Sequence, residues 1–245
     1  MNKTEDHSMF GVLINGAAAF AGGLIGLLFK KGIPKSIENS INKAMGIVVI
    51  IIGLNGVLSN MLIIGDDGSL HSKGELLLVI SFALGTLTGE VLKIDDRFQG
   101  FSNKIEKHFH VDGFSNGFIT ASSIFCIGAM GIIGSLTSGT TGDNSILITK
   151  SIIDFVTAIV LAASLGIGVM FSFVPILLYQ GAICLLAGAL SSVLVGDLLI
   201  QICMIGYTLI ICIGLNLMTS IQIKVINMLP SLLVPVIYYG IVLVM

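Results

Sequence analysis

The chain has 245 residues, 55% of them hydrophobic, and its 12 basic and 14 acidic residues amount to only 11%. Soluble domains carry about 25% charged residues, so a chain with mean hydropathy +1.03, 30 glycines and no tryptophan has too little polar surface to cover a water-soluble globule. That composition predicts an all-α integral membrane protein, and the net charge of −2 leaves no basic footprint for nucleic acid.

At about 20 apolar residues per span, the chain has room for about eight transmembrane helices and for no separate soluble domain. The opening MNKTEDHSMF sets Glu5 and Asp6 beside Lys3 and lacks a basic leader and a small-residue cleavage site, so the first apolar run reads as a retained span. Runs bounded by charge or turn residues place spans at 10–29, 43–64, 75–94, 117–138, 147–170, 174–195, 198–219 and 225–244. Between Ile152 and Val195 only Asp154 is charged, and Pro175 is the expected break there. The loops after spans 1, 3, 5 and 7 hold nine basic residues (Lys30, Lys31, Lys35, Lys43, Lys93, Arg97, Lys104, Lys107 and Lys224), against three (Lys3, Lys73 and Lys150) on the opposite side. Short basic loops stay in the cytoplasm, which predicts both termini outside.

Residues 98–112 read as a cytoplasmic interfacial helix, because Phe98, Phe101, Ile105 and Phe109 recur at helical spacing among Lys104, Glu106, Lys107 and His108. Cys126, Cys184, Cys203 and Cys212 all lie in apolar runs without CxxC spacing, and His7, His71, His108 and His110 lie in loops or the tail. Neither set suggests a metal site or a disulfide framework, and no cofactor is expected.

The chain resembles itself. Asn15-Gly16-Ala17 matches Gln180-Gly181-Ala182, and Gly23 matches Gly188, at one offset of 165; IIIGLN (Ile50 to Asn55) recurs as ICIGLN (Ile211 to Asn216) at an offset of 161. Helices 1–3 thus resemble helices 6–8, and LGTLTGE (Leu84 to Glu90) would correspond to LPSLLVP (Leu229 to Pro235). This gives a first repeat over 10–97, connecting helices 4 and 5 over 115–170 and a second repeat over 174–245. Spans 1 and 6 have opposite parity, so the repeats are expected to be inverted, an architecture that lets two near-equal halves open a midplane site to either side.

Asp154 lies inside a span with Lys150 one turn earlier and Ser151 between them, so the pair shares a helix face at a depth where a charge is costly unless paired or hydrated. Lys150 could instead snorkel to the surface from an outer-end salt bridge. Glu90 stands three residues before Lys93, so it either reaches the cytoplasmic interface and is solvated or faces the bundle, where Gly85, Thr86, Thr88 and Gly89 give a loosened helix able to offer carbonyls and hydroxyls to a cation or proton. The amides Asn15, Gln180, Asn55 and Asn216 occupy repeat-related positions inside spans and suit either a polar solute or interhelical bonding. Gly128, Gly131 and Gly134 make span 4 a small-residue face, and Pro230 interrupts a late span.

The combination of FCIGAMGIIGSLTSGTTGD, LITKSIIDF, LGIGVMFSFVPILLYQG, CIGLNLM and INMLP resembles the YdfK/YqgA-type family of bacterial multi-pass integral membrane proteins, a domain of unknown function. The resemblance covers essentially the whole chain, is strongest over residues 125–181, and implies a bacterial inner-membrane location and a transporter class without a substrate. Matching positions are Gly128, Gly134, Gly142, Asp143, Lys150, Ser151, Asp154, Gly166, Gly168, Gln180, Gly181, Asn216 and Pro230.

Residues and resemblance together lead to a secondary transporter or channel for a small polar solute or ion, embedded in the lipid bilayer. A membrane scaffold or sensor is the alternative. An intramembrane aspartyl enzyme is disfavoured, because Asp143 lies in a glycine-threonine loop away from Asp154. A bundle of short glycine-rich spans also suits homo-oligomerisation.

Overall fold

The computed structural model describes residues 9–30, 34–65, 67–109, 113–126, 129–191 and 196–244. Its elements are α1 (Phe10–Lys30), α2 (Lys35–Met61), β1 (Leu62–Ile64), β2 (Leu70–Ser72), α3 (Glu75–Leu92), α4 (Ile94–Phe109), α5 (Phe114–Cys126), α6 (Ala129–Thr141) and α7 (Ser145–Leu165). A 3-10 turn (Ile167–Ser172) leads into α8 (Phe173–Leu185), followed by α9 (Ala187–Leu190), α10 (Gly196–Met218), α11 (Val225–Met228), a second 3-10 turn (Leu229–Leu232) and α12 (Leu233–Val244). Leu13, Leu28, Ile51, Leu76, Leu87, Val91, Ile152 and Leu178 are exposed, an apolar exterior that suits lipid.

Two compact units divide the chain: Met1–Asn42 with Ser102–Val193, and Lys43–Phe101 with Leu194–Met245. They do not coincide with the sequence repeats, since each unit takes segments from both.

In the first unit α1 presents a face of small residues, with Gly11, Asn15, Ala19, Gly22, Gly23 and Gly26 buried. It runs parallel to α7: a Cβ on Gly11, Gly22 or Gly26 would lie 2.9, 2.9 or 2.7 Å from the Cβ of Leu147, Ala158 or Ala162. The same helix runs antiparallel to the segment 167–185, with Gly16 against Leu177 and Gly23 against Met170. Lys30 ends α1 by donating from Nζ to the Ser164 carbonyl at 3.3 Å, a cation on the last turn of α7, and Ser164 Oγ donates to Asn42 Oδ1. The helices α5 and α6 form a pair bent by 58°, where the sequence suggests one span over 117–138. The interruption after α7 falls at Gly166 (φ +86°), not at Pro175. Proline is tolerated in a helix's first turn, and Pro175 sits in the first turn of α8.

In the second unit α2 and α10 run antiparallel, with Gly46 against Gly214 and Met218, and Gly53 against Tyr207 and Ile211. The expected span 43–64 is shorter at its end, because Leu62–Ile64 leave the helix and pair with Leu70–Ser72 in an antiparallel hairpin. Asp67 accepts from Ser69 N at 3.0 Å and also from its hydroxyl, fixing the turn and holding the Asp67 carboxyl below its usual range. Among the described residues the regular structure is therefore helical apart from this hairpin. Lys73 and Asp197 form an exposed ion pair at 2.6 Å. Helix α3 runs antiparallel to the segment 225–232, with Gly85 on Ser231 and Gly89 on Asn227, and ends at Lys93 (φ +51°). Asn227 Oδ1 then accepts from Asp95 N at 2.7 Å in the first turn of α4. The amphipathic helix expected over 98–112 begins earlier, at Ile94, and positions 110–112 lie outside the described residues.

Among the described residues six helices are long and apolar enough to cross a membrane, or seven if the bent α5–α6 pair is one span, with Val225–Ile241 a shorter apolar helix. Close approach through glycine should be costly to disturb. Gly214→Leu, set against the Gly46 carbonyl, is expected to destabilise by about 1–3 kcal/mol or more, whereas Gly188→Ala, with nothing within 4 Å of its Cβ position, should leave Tm in detergent unchanged.

Candidate functional site

Helix α7 places Lys150 and Asp154 one turn apart on one face. Their ion pair measures 2.5 Å, with side chains only 8% and 6% exposed. Asp154 stands nine residues beyond Ser145 and eleven before Leu165, about 14 and 16 Å from the ends of the helix. The pair is thus at mid-helix depth, and Lys150 does not snorkel outward. Taking two charges out of water costs several kcal/mol per ion unless the pair is close and further bonded, so a buried pair inside a span calls for neighbours that complete its polar shell.

Those neighbours come from the two helices related by the 165-residue offset. Asn15 on α1 donates from Nδ2 to Gln180 Oε1 on α8 at 3.1 Å, and both side chains are fully buried. The Asn15 side chain also neighbours the Asp154 carboxylate. Two polar atoms of this pair, Asn15 Oδ1 and Gln180 Nε2, are buried without a hydrogen-bond partner. Leaving such an atom unsatisfied costs about 1–3 kcal/mol. Gly131 on α6 gives the cluster room, because a Cβ there would stand 3.6 Å from Gln180 Nε2 and 3.6 Å from Lys150 Cε, both ordinary contacts. The nearby hydroxyls are already used: Ser151 Oγ donates to the Leu147 carbonyl at 2.6 Å and Ser135 Oγ to the Gly131 carbonyl at 2.7 Å. The result is a buried cluster of one cation, one anion, a free amide acceptor and a free amide donor.

The other expected residues lie elsewhere. Glu90 is exposed at the end of α3, in the second unit, as is Asn55 on α2. Asn216 closes the loop after α10, donating to the Ile223 carbonyl and accepting from its N–H, both at 2.8 Å. Gly85 and Gly89 permit the close approach of Ser231 and Asn227, Gly134 that of Leu147, and Pro230 stands in the 3-10 turn Leu229–Leu232. Gly128 lies outside the described residues.

Sequence reasoning missed Asn144, whose Oδ1 accepts from Gly11 N at 2.8 Å and from Ser138 Oγ at 2.7 Å. It also missed Gln201, buried in α10 with Oε1 unpartnered. A lone amide in an apolar run was the available signal for Gln201; the polar loop around Asn144 hid it among similar residues.

Apolar helices with lipid-compatible exteriors around a buried ionic cluster define a multi-pass membrane protein set in the lipid bilayer. The chain belongs to the family described as protein of unknown function DUF554, whose model matches residues 10–240. It is 34% identical to the uncharacterized membrane protein YdfK of Bacillus subtilis (strain 168), over 93% of this chain and 94% of the relative. It is 28% identical to the uncharacterized protein YqgA of Escherichia coli (strain K12), over 92% of this chain and 94% of that protein. No solved structure matches the chain.

Removing one member of a buried pair leaves the other charge uncompensated. Lys150→Met and Asp154→Leu alone should each destabilise by about 3–5 kcal/mol, while the double variant should recover much of that loss. Thermal unfolding of the four proteins measures the coupling.

Proposed function

We propose that the chain is a secondary transporter or channel for a small polar solute, built on an inverted repeat, with its binding site at the Lys150–Asp154–Asn15–Gln180 cluster. The observation that carries this reading is the pair of orphaned, fully buried amide atoms beside an ion pair at mid-helix depth. An ionisable residue inside a span faces a pathway or a partner far more often than lipid, and unpaired buried polar atoms are places a solute can satisfy.

Contacts between repeat mates support the inversion. Asn15 bonds Gln180, its own counterpart at the 165-residue offset. Under the 161-residue offset the contact of Gly53 with Ile211 has Gly214 with Ile50 as its image, and Cβ atoms built at the two glycines lie 2.6 Å from the respective isoleucine Cγ1 in both. Each repeat-related pair, α1 with 167–185, α2 with α10 and α3 with 225–232, runs antiparallel, as a two-fold axis across the helices requires. Counting the α5–α6 pair and the segment 225–244 as spans gives eight. With Lys150 removed from the loop tally, nine basic residues stand against two, which favours both termini outside a bacterial cytoplasmic membrane. On this reading Asp154 serves binding rather than bond cleavage, and the chain is not an enzyme.

Reconstitution in liposomes tests the proposal. Osmotic swelling or counterflow against Na⁺, K⁺, divalent ions, amino acids, organic acids and amines should give flux of at least one solute, reduced tenfold or more by Asp154→Asn. Absence of flux throughout, with folded protein in the membrane, would favour a scaffold or sensor.

A further inference from the structure

Resting on that reading, the cluster's own chemistry narrows the solute. We infer that the site takes a small zwitterion of the α-amino-acid class, its carboxylate held by Gln180 Nε2 and Lys150 and its ammonium by Asn15 Oδ1 and Asp154. Four complementary groups are present, two donors and two acceptors, and each half has one charged member and one amide. The donor half is localised: the unpartnered Gln180 Nε2 and the end of the Lys150 chain both border the space left by the missing side chain of Gly131. The acceptor half adjoins it: Asn15 Nδ2 donates to Gln180 Oε1, which leaves Oδ1 as the unpartnered atom of an amide that neighbours Asp154.

Charge balance selects among solutes. Lys150 and Asp154 neutralise each other in the empty site. A cation drawn to Asp154 would have to compete with Lys150 and would leave the buried site with a net positive charge, while an anion drawn to Lys150 would leave it net negative. Either imbalance is expensive where the surroundings are apolar. A zwitterion exchanges one ion pair for two, keeps the site neutral and satisfies both orphaned amide atoms. A neutral polar solute could use the amides but would gain nothing from the opened ion pair.

The test uses the purified full-length chain in detergent and reads Tm against matched probes. L-Alanine, glycine and L-serine carry both charges, L-alaninamide only the ammonium and L-lactate only the carboxylate. At least one of the three zwitterions should raise Tm saturably, as any ligand bound only to the folded state does, and the singly charged analogues should give under a tenth of that shift at equal concentration. Gly131→Ala adds one methyl group with only ordinary contacts. It should therefore melt as the parent does without ligand, yet require at least tenfold more zwitterion for the same shift, and Gln180→Leu should lose the shift. No response to any of the three zwitterions, an equal response to L-alaninamide or L-lactate, or undiminished binding in folded Gly131→Ala would each overturn the assignment. An equal response to a singly charged probe that is also transported would leave the transport reading standing. Zwitterion binding without flux would support the ligand class and remove the transporter.

Discussion

Every helix of this chain must find its neighbours without the hydrophobic effect, because lipid tails are as apolar as leucine and reward helix contact only through packing and interhelical hydrogen bonds. Glycine meets that constraint. Where Gly11, Gly22 and Gly26 meet α7, and where Gly46 and Gly214 meet each other, backbones approach so closely that a Cβ would overlap the facing atoms. The same stripe that seats α1 against α7 sets Asn15 opposite Ser151, between Lys150 and Asp154, so the packing face and the polar cluster have one origin. A bulkier residue on that stripe would move the amide away from the carboxylate as well as loosen the bundle.

The polar interior obeys a second rule. In water, Lys150 and Asp154 would be a weak i,i+4 pair; inside the bundle their separation from solvent makes each indispensable to the other. Some buried hydroxyls are quieted locally: Ser135 and Ser151 donate back to the carbonyl four residues earlier, as serine and threonine do in apolar helices, while Ser81 and Ser231 have no partner. The unpartnered atoms of Asn15 and Gln180 differ from these hydroxyls in lying on two amides already bonded to each other, one left with a spare acceptor and the other with a spare donor.

Much of this was legible in the sequence. Composition alone excluded a soluble globule, the spacing of Lys150 and Asp154 gave their shared face, and the offset of 165 singled out Asn15 and Gln180 before any coordinates linked them. What failed, failed for physical reasons. Pro175 looked like a helix break, but proline costs nothing in a first turn and the chain reverses instead at Gly166, whose positive φ other residues avoid. The run to Ile64 looked helical because apolar content does not distinguish a helix end from a short β-branched strand; the Asp67–Ser69 turn decides it. Lys150 looked like a loop charge because its partner one turn on was the only sign that it could be buried. Glu90 and Asn55 shared the residue types of a site without its location, since the position of a polar side chain around a glycine-rich helix depends on which face the neighbour takes.

The position of the ionic pair also constrains how such a site could work. Lys150 and Asp154 belong to one helix, so opening their contact needs only side-chain rotation and no movement of α7. Asn15 and Gln180 belong to α1 and α8, two helices that run antiparallel and correspond in sequence. Sliding of one against the other would change the amide contact along with the glycine contacts beside it. A solute that separates the ion pair would therefore be felt at the joint between these two helices, which the neutral Asn15–Gln180 hydrogen bond of 3.1 Å links. In the proposed transporter that arrangement would put recognition on one helix and the response on a pair of helices that correspond in sequence.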